Sequence, residues 1–355
     1  MTRIVVVGCS YGGLKTLLTL RKLFPQAELV GVDPSPYHVN ITGFPRYFAG
    51  EMDSKELLLP LHEFLAKHHI EFFQEEVTGL SPNSRHLYTA NRRMDYDYLI
   101  LAFGASHKQI PNPTTGLFSP YTLQEVKELR TYLEKNIYQG KPIHAVIVGA
   151  GLAGVEWGCG LAEYLNGRGT VTILEQNSVV LKGYSDKVRN YVLKKLRQKN
   201  IHIQTNTQVE KIEHSTITFD KGKMPYTAAL LFVGVCNHTL VEKLGLESNE
   251  NGILVHNTLQ TLKYPNVFVV GDAVSLVNQA VQPIKRATSA LLQGPIAARN
   301  ILHHYEEEAL EKYPVNEMPL GIYLGHHQGL VYYKEWMYTG WFAWWSKKFR
   351  ETHYL

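Results

Sequence analysis

Two short glycine-rich segments of this 355-residue chain have the spacing of a phosphate-binding turn. The clearer segment, AVIVGAGLAG, places Gly149, Gly151 and Gly154 after an apolar run and before a helical pattern. In such a turn the first glycine permits the tight bend, the second lets the backbone approach a pyrophosphate, and the third lets the helix lie close to the strand. The helix amino terminus then offers N–H groups and its positive dipole end to phosphate. The segment therefore predicts a bound dinucleotide.

A carboxylate follows this turn at the position that a ribose requires. Glu175 ends the next predicted strand, TVTILE, about 20 residues after Gly154. Its side chain would accept hydrogen bonds from a ribose 2′-hydroxyl and would repel a 2′-phosphate. The segment thus favours NADH over NADPH. The alternative, a strand–helix turn without a ligand, explains neither the acid nor the spacing.

The other segment, IVVVGCSYGG near the amino terminus, departs from the pattern at its middle position. Gly8, Ser10 and Gly13 occupy the three places, and Gly12 adds backbone freedom. Ser10 brings a small side chain towards the diphosphate, and its hydroxyl could donate to a phosphate oxygen. Asp33, which ends the strand AELVGVD, is the expected ribose acceptor here. Two dinucleotides in one chain predict electron transfer between them.

Composition excludes several other classes of protein. The formal net charge of +4 is small and the basic residues are scattered, so we expect no binding to nucleic acid. Three widely separated cysteines provide no C-x-x-C pair and no disulfide framework, as is usual in a reducing compartment. The apolar run before Cys9 is too short for a signal peptide. The sequence predicts a cytoplasmic protein.

Histidine pairs such as His68-His69 and His326-His327 suggest metal binding at first sight. Neighbouring side chains on a helix or strand point in different directions and chelate poorly. We therefore expect no metal site.

Element patterns predict how these turns are positioned. Helices are expected at residues 14–23 and 288–305, and buried strands at residues 96–106 and 264–273. The predicted fold class is α/β, with two Rossmann-like domains, the second inserted in the first, and a short carboxy-terminal tail. The predicted first domain comprises residues 1–110 and 237–330, the second 111–236 and the tail 331–355. The proline- and glycine-containing segment QIPNPTTGLFSP marks the first crossover.

These segments together resemble the two-dinucleotide-binding flavoproteins, and most of all the type II NADH dehydrogenases. The matching pieces extend from about Arg3 to Leu330: GCSYGG, SPYH, YDYLILAFGAS, GAGLAGVE, LFVGV and YPNVFVVGDA. The resemblance implies that the first turn holds FAD and the second holds NADH. Hydride would pass from the nicotinamide to the flavin, and two electrons would then pass to a membrane quinone.

The resemblance also assigns individual residues. Gly271 and Asp272 would bind the ribityl and phosphate portion of FAD, and Ala102 and Gly104 would line the FAD side. Gly234, in the LFVGV segment, is a further expected cofactor-binding residue.

Glu156 is the candidate catalytic residue. The resemblance implies that it lies near the nicotinamide and flavin rings and positions the carboxamide. The alternative is an acid that merely interacts favourably with the helix dipole.

The predicted acceptor side departs from the family pattern, A-Q-x-x-x-Q. In ATSALLQG, Thr288 and Leu292 replace the glutamines, and Gln293 lies one position later. Lys285 precedes this stretch and could stabilise an anionic reduced flavin, or could simply be a solvated residue at the helix start. The acceptor is thus an unusual quinone site or something else. The region HVNITGFPRYF lacks the cysteine that related disulfide and peroxide reductases use.

Three functions stay open at this point. The first is a peripheral NADH:quinone oxidoreductase, the second an NADH-dependent reductase of a soluble carrier or small molecule, and the third a nucleotide-sensing protein without turnover.

Four of the five tryptophans lie in the tail segment WMYTGWFAWWSKKFRETHYL. Its apolar stretch is far shorter than the ~20 residues that span a bilayer. Tryptophan followed by Lys347, Lys348 and Arg350 is typical of a helix in the membrane interface, here the inner face of the cell membrane. The alternative is a helix docked on its own body or on a second copy in a homodimer. Truncation at Glu335 is expected to leave both nucleotide sites intact.

Overall fold

The computed structural model describes residues 1–108, 114–315 and 319–352. The first five residues of the predicted crossover segment and the last three of the predicted tail lie outside these ranges.

A five-stranded parallel sheet carries the amino-terminal glycine turn. Four of its strands are apolar and almost entirely buried, as expected of a parallel sheet covered by helices, and the fifth, at one edge, is partly exposed. In spatial order the five strands are Val267–Val269, Tyr98–Leu101, Arg3–Val7, Glu28–Val32 and Glu71–Phe73. Helices Tyr11–Leu23 and Ala287–Tyr305 pack tightly against each other beside this sheet.

A second parallel sheet repeats the arrangement and carries the other turn. Its strands, in the same spatial order, are Leu117–Phe118, Ala228–Leu231, Ile143–Val148, Gly169–Leu174 and Ile201–Gln204. Its helices are Leu123–Tyr138, Leu152–Leu165 and Asp186–Gln198. Because Val267–Val269 returns to the first sheet, one Rossmann-like unit is inserted in the other, which confirms the predicted α/β class. The exact domain limits stay a prediction.

Smaller elements join and flank the two units. The short strands Ser106–His107 and Val235–Cys236 pair antiparallel where the chain passes between the units. The other strands are Tyr37–Val39 with Leu58–Pro60, Val77–Ser81 with His86–Thr89 and Arg93–Asp95, Val209–Glu213 with Thr216–Phe219 and Gly222–Pro225, and Ser248–Asn249 with Gly252–Val255 and Val274–Leu276. Short α-helices are Phe44–Phe48, Leu61–Lys67 and Leu240–Lys243, and 3-10 turns are Ile41–Gly43, Ser54–Leu57, Pro82–Ser84 and Gly271–Ala273.

The carboxy-terminal segment is a folded part of the body. Strands Leu320–Tyr323, Gly329–Tyr333 and Trp336–Thr339 form an antiparallel sheet, and helix Trp341–Thr352 packs on it. The predicted tail limit at residue 331 therefore cuts through the strand Gly329–Tyr333. No helix in the described ranges has the length and apolarity that crossing a bilayer requires.

Helix Trp341–Thr352 has two different faces. Ala343, Lys347 and Glu351 recur every four residues and are buried, whereas Trp345 and Phe349 between them are exposed. The expectation that Lys347 adds charge to an exposed surface is wrong, because only 9% of this residue is exposed.

We predict that Gly294→Ala destabilises the fold. A Cβ at Gly294 would lie 2.7 Å from the Gly12 carbonyl oxygen and 3.1 Å from the Thr16 backbone nitrogen. Because both obstacles are backbone atoms, the helices must separate, at about 1–3 kcal/mol. Over most of this range the cost exceeds the ~1 kcal/mol that alanine gains over glycine in a helix.

Denaturant unfolding measures this change. Gly79→Ala is the control, since its added Cβ meets only a Tyr88 side-chain atom at 3.9 Å. Equal stability of the two variants would contradict the prediction.

Candidate functional site

The second glycine turn leaves open space where a ligand would approach. Gly149 has φ +104°, and an added Cβ would lie 2.4 Å from the Phe232 carbonyl oxygen. A Cβ at Gly154 would lie 1.9 Å from the Gly149 oxygen, so both positions require glycine. At Gly151, by contrast, an added Cβ meets nothing within 4 Å. The helix that starts here has no side-chain cap, which leaves its first N–H groups for a phosphate.

The first turn has the same geometry with one substitution. Gly8 has φ +94°, and an added Cβ would lie 2.5 Å from the Ala102 oxygen, while one at Gly13 would lie 1.8 Å from the Gly8 oxygen. Ser10 precedes the helix without capping it, and its Oγ lies 3.3 Å from His38 Nδ1. Gly12 instead faces Val270, where an added Cβ would be 3.2 Å away. The same Cβ would lie 3.4 Å from Ala290 Cβ in helix Ala287–Tyr305, so the structure places Gly12 at a contact between helices.

His38 and Ser10 form a polar pair beside the first turn. Burial lowers the pKa of His38 to about 4, so its ring is neutral near pH 7. A neutral imidazole has one acceptor nitrogen, to which the serine hydroxyl can donate.

The two predicted ribose acceptors occupy equivalent places. Cys9 N donates to Asp33 Oδ2 at 2.7 Å, and Ala150 N donates to Glu175 Oε2 at 2.7 Å. Each carboxylate thus lies directly beside its glycine turn. Burial raises the pKa of Asp33, and the backbone N–H groups of Cys9 and Ser35 oppose that shift.

A cleft of about 810 Å³ lies at the second turn, with Gly149, Gly151 and Glu175 among its lining residues. Its volume is in the range of known small-molecule sites, and its polar groups converge where a phosphate and a ribose would lie. The residues present therefore fit a dinucleotide.

Gly104 and Gly234, predicted on the FAD side and the NAD side, occupy equivalent places in the two units. Gly104 follows the strand Tyr98–Leu101 with φ +75°, and Gly234 follows Ala228–Leu231 with φ +92°. An added Cβ would meet nothing within 4 Å at either position. Ala102, one residue after its strand, is buried against the first turn.

Gly271 and Asp272 begin the 3-10 turn that follows the last strand of the first sheet. Burial raises the pKa of Asp272 to about 6, and the Lys285 ammonium partly opposes this shift. The Lys285 charge therefore acts on a carboxylate of the predicted FAD side.

Gln293, the remnant of the expected glutamine pattern, has a structural contact. It is fully buried, and its Oε1 accepts a 2.6 Å hydrogen bond from Gly271 N. Its side-chain oxygen therefore fixes the turn of the predicted FAD side and does not face an acceptor.

Glu156 lies at the end of a chain of buried charges. Its Oε1 accepts from Tyr323 N at 2.8 Å and lies 3.1 Å from Lys347 Nζ. Lys347 Nζ also lies 2.7 Å from Glu351 Oε1, and Glu351 Oε2 lies 2.9 Å from Arg46 Nη1. We call these four side chains, Glu156, Lys347, Glu351 and Arg46, the buried ion chain.

Protonation in the chain follows from burial and from these partners. Burial raises the pKa of Glu156, and Lys347 opposes that shift. Burial alone would lower the pKa of Lys347, but the carboxylates of Glu156 and Glu351 raise it above its ordinary value. Lys347 is therefore charged at neutral pH.

Glu51 ties the same region together from the first unit. Tyr323 OH donates to Glu51 Oε1 at 2.6 Å, and Trp344 Nε1 donates to Glu51 Oε2 at 2.9 Å. Asn40 Nδ2 donates to the Glu351 carbonyl oxygen at 3.0 Å. Both Rossmann-like units therefore meet the carboxy-terminal segment around Glu156, Glu51 and Glu351.

Sequence reasoning missed the partners of Glu156. Glu351 lies four positions after Lys347, which is the spacing of an ion pair on a helix, so the sequence could have predicted this pair. The contact with Glu156 could not be predicted, because the two segments are far apart in sequence. Truncation at Glu335 would remove Lys347 and Glu351, which contact Glu156 and Arg46. That both nucleotide sites stay intact in the truncated form remains a prediction.

Cysteine chemistry has little support in the site. Cys9 and Cys159 are buried, and burial raises the pKa of both thiols, that of Cys159 to about 12. Cys236 is partly exposed and is a free thiol. Within the described part of the chain, no group of three His, Cys, Asp or Glu side chains has a metal-binding arrangement.

We predict that Lys347→Met strongly destabilises the protein. The substitution keeps an apolar side chain of similar length but leaves Glu156 and Glu351 buried without their cation. Removing one member of a buried ion pair costs about 3–5 kcal/mol. The free energy of unfolding from denaturant titration measures the loss.

Lys348→Met is the matched control, because the neighbouring lysine is partly exposed and its Nζ lies 5.6 Å from the centre of the Trp344 ring. A loss of less than about 1 kcal/mol in Lys347→Met would show that the buried charges are solvated.

Comparison with known proteins agrees with this geometry. The family model described as pyridine nucleotide-disulphide oxidoreductase matches residues 2–294. A type II NADH:quinone oxidoreductase of Staphylococcus aureus is 22% identical over 357 residues, which cover 92% of this chain and 89% of that protein. These matches confirm the resemblance predicted from the sequence.

Solved structures share the fold. The sulfide:quinone oxidoreductase of Aquifex aeolicus superposes with a TM-score of 0.86 at 18% identity, over 99% of this chain and 90% of that one. NDH2 from Plasmodium falciparum in complex with NADH gives a TM-score of 0.85 at 15% identity, over 99% and 96%.

Proposed function

The chain belongs to the pyridine nucleotide-disulphide oxidoreductase family, and we propose that it is an NADH oxidoreductase with FAD as its bound cofactor and a quinone-like acceptor. One observation carries the proposal. In both Rossmann-like units a glycine turn leads into a helix, and a carboxylate accepts a backbone N–H of that turn. The relatives named above as NADH:quinone oxidoreductase and as NDH2 with NADH support this assignment.

The residues of each unit suit one nucleotide. In the first, the turn at Gly8 and Gly13 would hold the FAD diphosphate, with Asp33 on its ribose and Asp272 on its ribityl portion. In the second, the turn at Gly149 would hold the NADH diphosphate. Bound FAD supplies the ability to accept a hydride from NADH and to pass electrons on.

Glu156 is the proposed orienting residue at the nicotinamide. Tyr323 N and Lys347 fix its carboxylate, which restricts its side chain to one position. A fixed acceptor orients a carboxamide better than a mobile one, because less entropy is lost on binding. The carboxy-terminal helix is therefore part of this proposed site.

We predict that NADH bleaches the flavin absorbance of the purified protein under nitrogen and that NADPH does so more slowly. The Glu175 carboxylate would meet the 2′-phosphate of NADPH. In the double variant Glu175→Ser, Gln176→Arg, the preference for NADH over NADPH should shrink by about tenfold or more. One close charge contact is worth at least ~1.4 kcal/mol.

The control is Glu242→Ser, which removes an exposed carboxylate elsewhere. Equal rates with NADH and NADPH in the native protein would refute the role of Glu175. Absence of flavin, or flavin that NADH leaves oxidised, would favour a nucleotide-sensing protein instead.

Exposed aromatic side chains of the carboxy-terminal segment favour membrane contact. We define this aromatic surface as the exposed residues Trp336, Tyr338, Trp341, Phe342, Trp345 and Phe349. Trp345 stacks on Trp341, Phe342 and Phe349 with ring centroids 5.5–6.5 Å apart. Contiguous exposed aromatic groups are typical of a contact with the membrane interface. We propose that this surface lies on a membrane that contains the quinone.

A reductase of a soluble carrier is the second candidate. Gln293 is engaged with Gly271, and Thr288 and Leu292 stand where the family pattern has glutamines, so this helix differs from the expected quinone site. A panel of quinones and soluble one-electron carriers, assayed with NADH, distinguishes the two functions.

We predict that Trp341→Ser, Trp345→Ser and Phe349→Ser, combined, abolish co-sedimentation with anionic vesicles. Each side chain loses about 1.5–3 kcal/mol of apolar burial. Tyr138→Ser is the control, because Tyr138 is exposed on another helix.

Equal pelleting of both variants would contradict membrane contact through this surface. If neither native nor variant protein binds vesicles and the triple variant falls from dimer to monomer, the surface is a homodimer interface.

A further inference from the structure

The two carboxylates beside the glycine turns differ in one respect. Each accepts two backbone N–H groups. For Asp33 these are Cys9 N on Oδ2 and Ser35 N on Oδ1, at 2.7 and 2.8 Å. For Glu175 they are Ala150 N on Oε2 and Asn177 N on Oε1, also at 2.7 and 2.8 Å. Only Glu175 has a third donor, because Asn177 Nδ2 also donates to its Oε1 at 2.5 Å.

The third donor changes what each carboxylate can offer a ribose. A carboxylate has about four acceptor positions, so two backbone donors leave about two, enough for the 2′- and 3′-hydroxyls. At Glu175 the Asn177 amide takes one of these. A ribose that uses both hydroxyls must therefore displace the amide there, whereas at Asp33 nothing needs to move.

Lys182 holds the amide in this position. Its Nζ donates to Asn177 Oδ1 at 2.9 Å, which turns the Nδ2 end towards Glu175. The equivalent side chain in the first unit is turned away, since Ser35 Oγ donates to the Tyr37 carbonyl oxygen. Asn177 and Glu175 both line the cleft at the second turn.

We propose that the Asn177 side-chain amide competes with the adenosine ribose of NADH for the Glu175 carboxylate, and that Lys182 positions this amide. The inference rests on the proposed function, which assigns NADH to the second site. Its consequence is an asymmetry between the two nucleotides. FAD meets a carboxylate with open positions and stays bound, whereas NADH and its oxidised product meet one that is partly occupied and exchange at each turnover.

ADP-ribose is the probe for the test, because it carries the ribose and diphosphate but cannot transfer a hydride. Its dissociation constant is measured by calorimetry on the flavin-loaded protein. In Asn177→Ala, ADP-ribose should bind about tenfold tighter, since a hydrogen bond to a charged group is worth ~1.5 kcal/mol or more. The backbone N–H of residue 177 remains in this variant. Lys182→Met should shift binding in the same direction by a smaller factor.

A second ligand isolates the hydroxyl. 2′-Deoxy-ADP-ribose needs fewer acceptor positions, so its affinity should change little in Asn177→Ala. FAD retention should be the same in all variants. Asn251→Ala is the matched control, because Asn251 is an exposed asparagine outside the cleft.

Weaker binding of ADP-ribose to Asn177→Ala would overturn the inference and make Asn177 a residue that orients Glu175. Unchanged binding, with a flavin that NADH still bleaches, would overturn it and leave the proposed function intact. If ADP-ribose binds no variant and NADH leaves the flavin oxidised, both proposals fail.

Discussion

The buried ion chain is the constraint on which the arrangement of the whole site depends. Glu156 belongs to the helix of the second glycine turn, and burying its carboxylate requires a cation and a hydrogen-bond donor close by. Lys347 supplies the cation and Tyr323 N the donor, and both belong to the carboxy-terminal segment. Glu351 and Arg46 then continue the chain into the first unit. The carboxy-terminal helix is therefore held by charges that would otherwise be buried alone.

This constraint acts on a duplicated frame. Both sheets place a glycine turn and a carboxylate at the carboxyl ends of neighbouring parallel strands, where ligands of this architecture bind. The copies differ where the chain contacts a ligand. Ser10 fills the position that Gly151 leaves open, and Asn177 donates a side-chain hydrogen bond that Ser35 does not. If the proposed competition at Glu175 holds, two similar frames would bind nucleotides that exchange at different rates.

Local patterns predicted the parts of the site that depend on short segments. Gly8, Gly13, Gly149 and Gly154 were identifiable because each requirement is set within one strand–turn–helix unit. The fold class followed from the repetition of that unit. The strands proved shorter than their apolar runs, since residues 96–106 form only Tyr98–Leu101 and Ser106–His107. The apolar run extends beyond the strand because the flanking Tyr96 and Ala102 are buried as well.

Contacts between distant segments were beyond the sequence patterns. Gln293 has the residue type of the expected acceptor motif, but its one-residue offset turns the side chain to Gly271. A helix rotates by about 100° per residue, so such an offset moves a side chain to another face. The tail raised the same difficulty. Its tryptophans and lysines describe an amphipathic helix, and nothing local shows that Lys347 faces inwards.

The two faces of helix Trp341–Thr352 connect the proposed surface to the proposed chemistry. Lys347 and Glu351 occupy the inner face, and Trp341, Trp345 and Phe349 the outer one. A helix with its side chains is about 10–12 Å across. Any surface that receives the aromatic side chains therefore lies about one helix diameter from Glu156. The ion chain also fixes the rotation of the helix, because turning it by one residue would expose the aromatic groups differently and bury Lys348 in place of Lys347. The inner charges thus determine which side chains the outer face presents, so the proposed membrane contact and the proposed nicotinamide site depend on the same orientation of one helix.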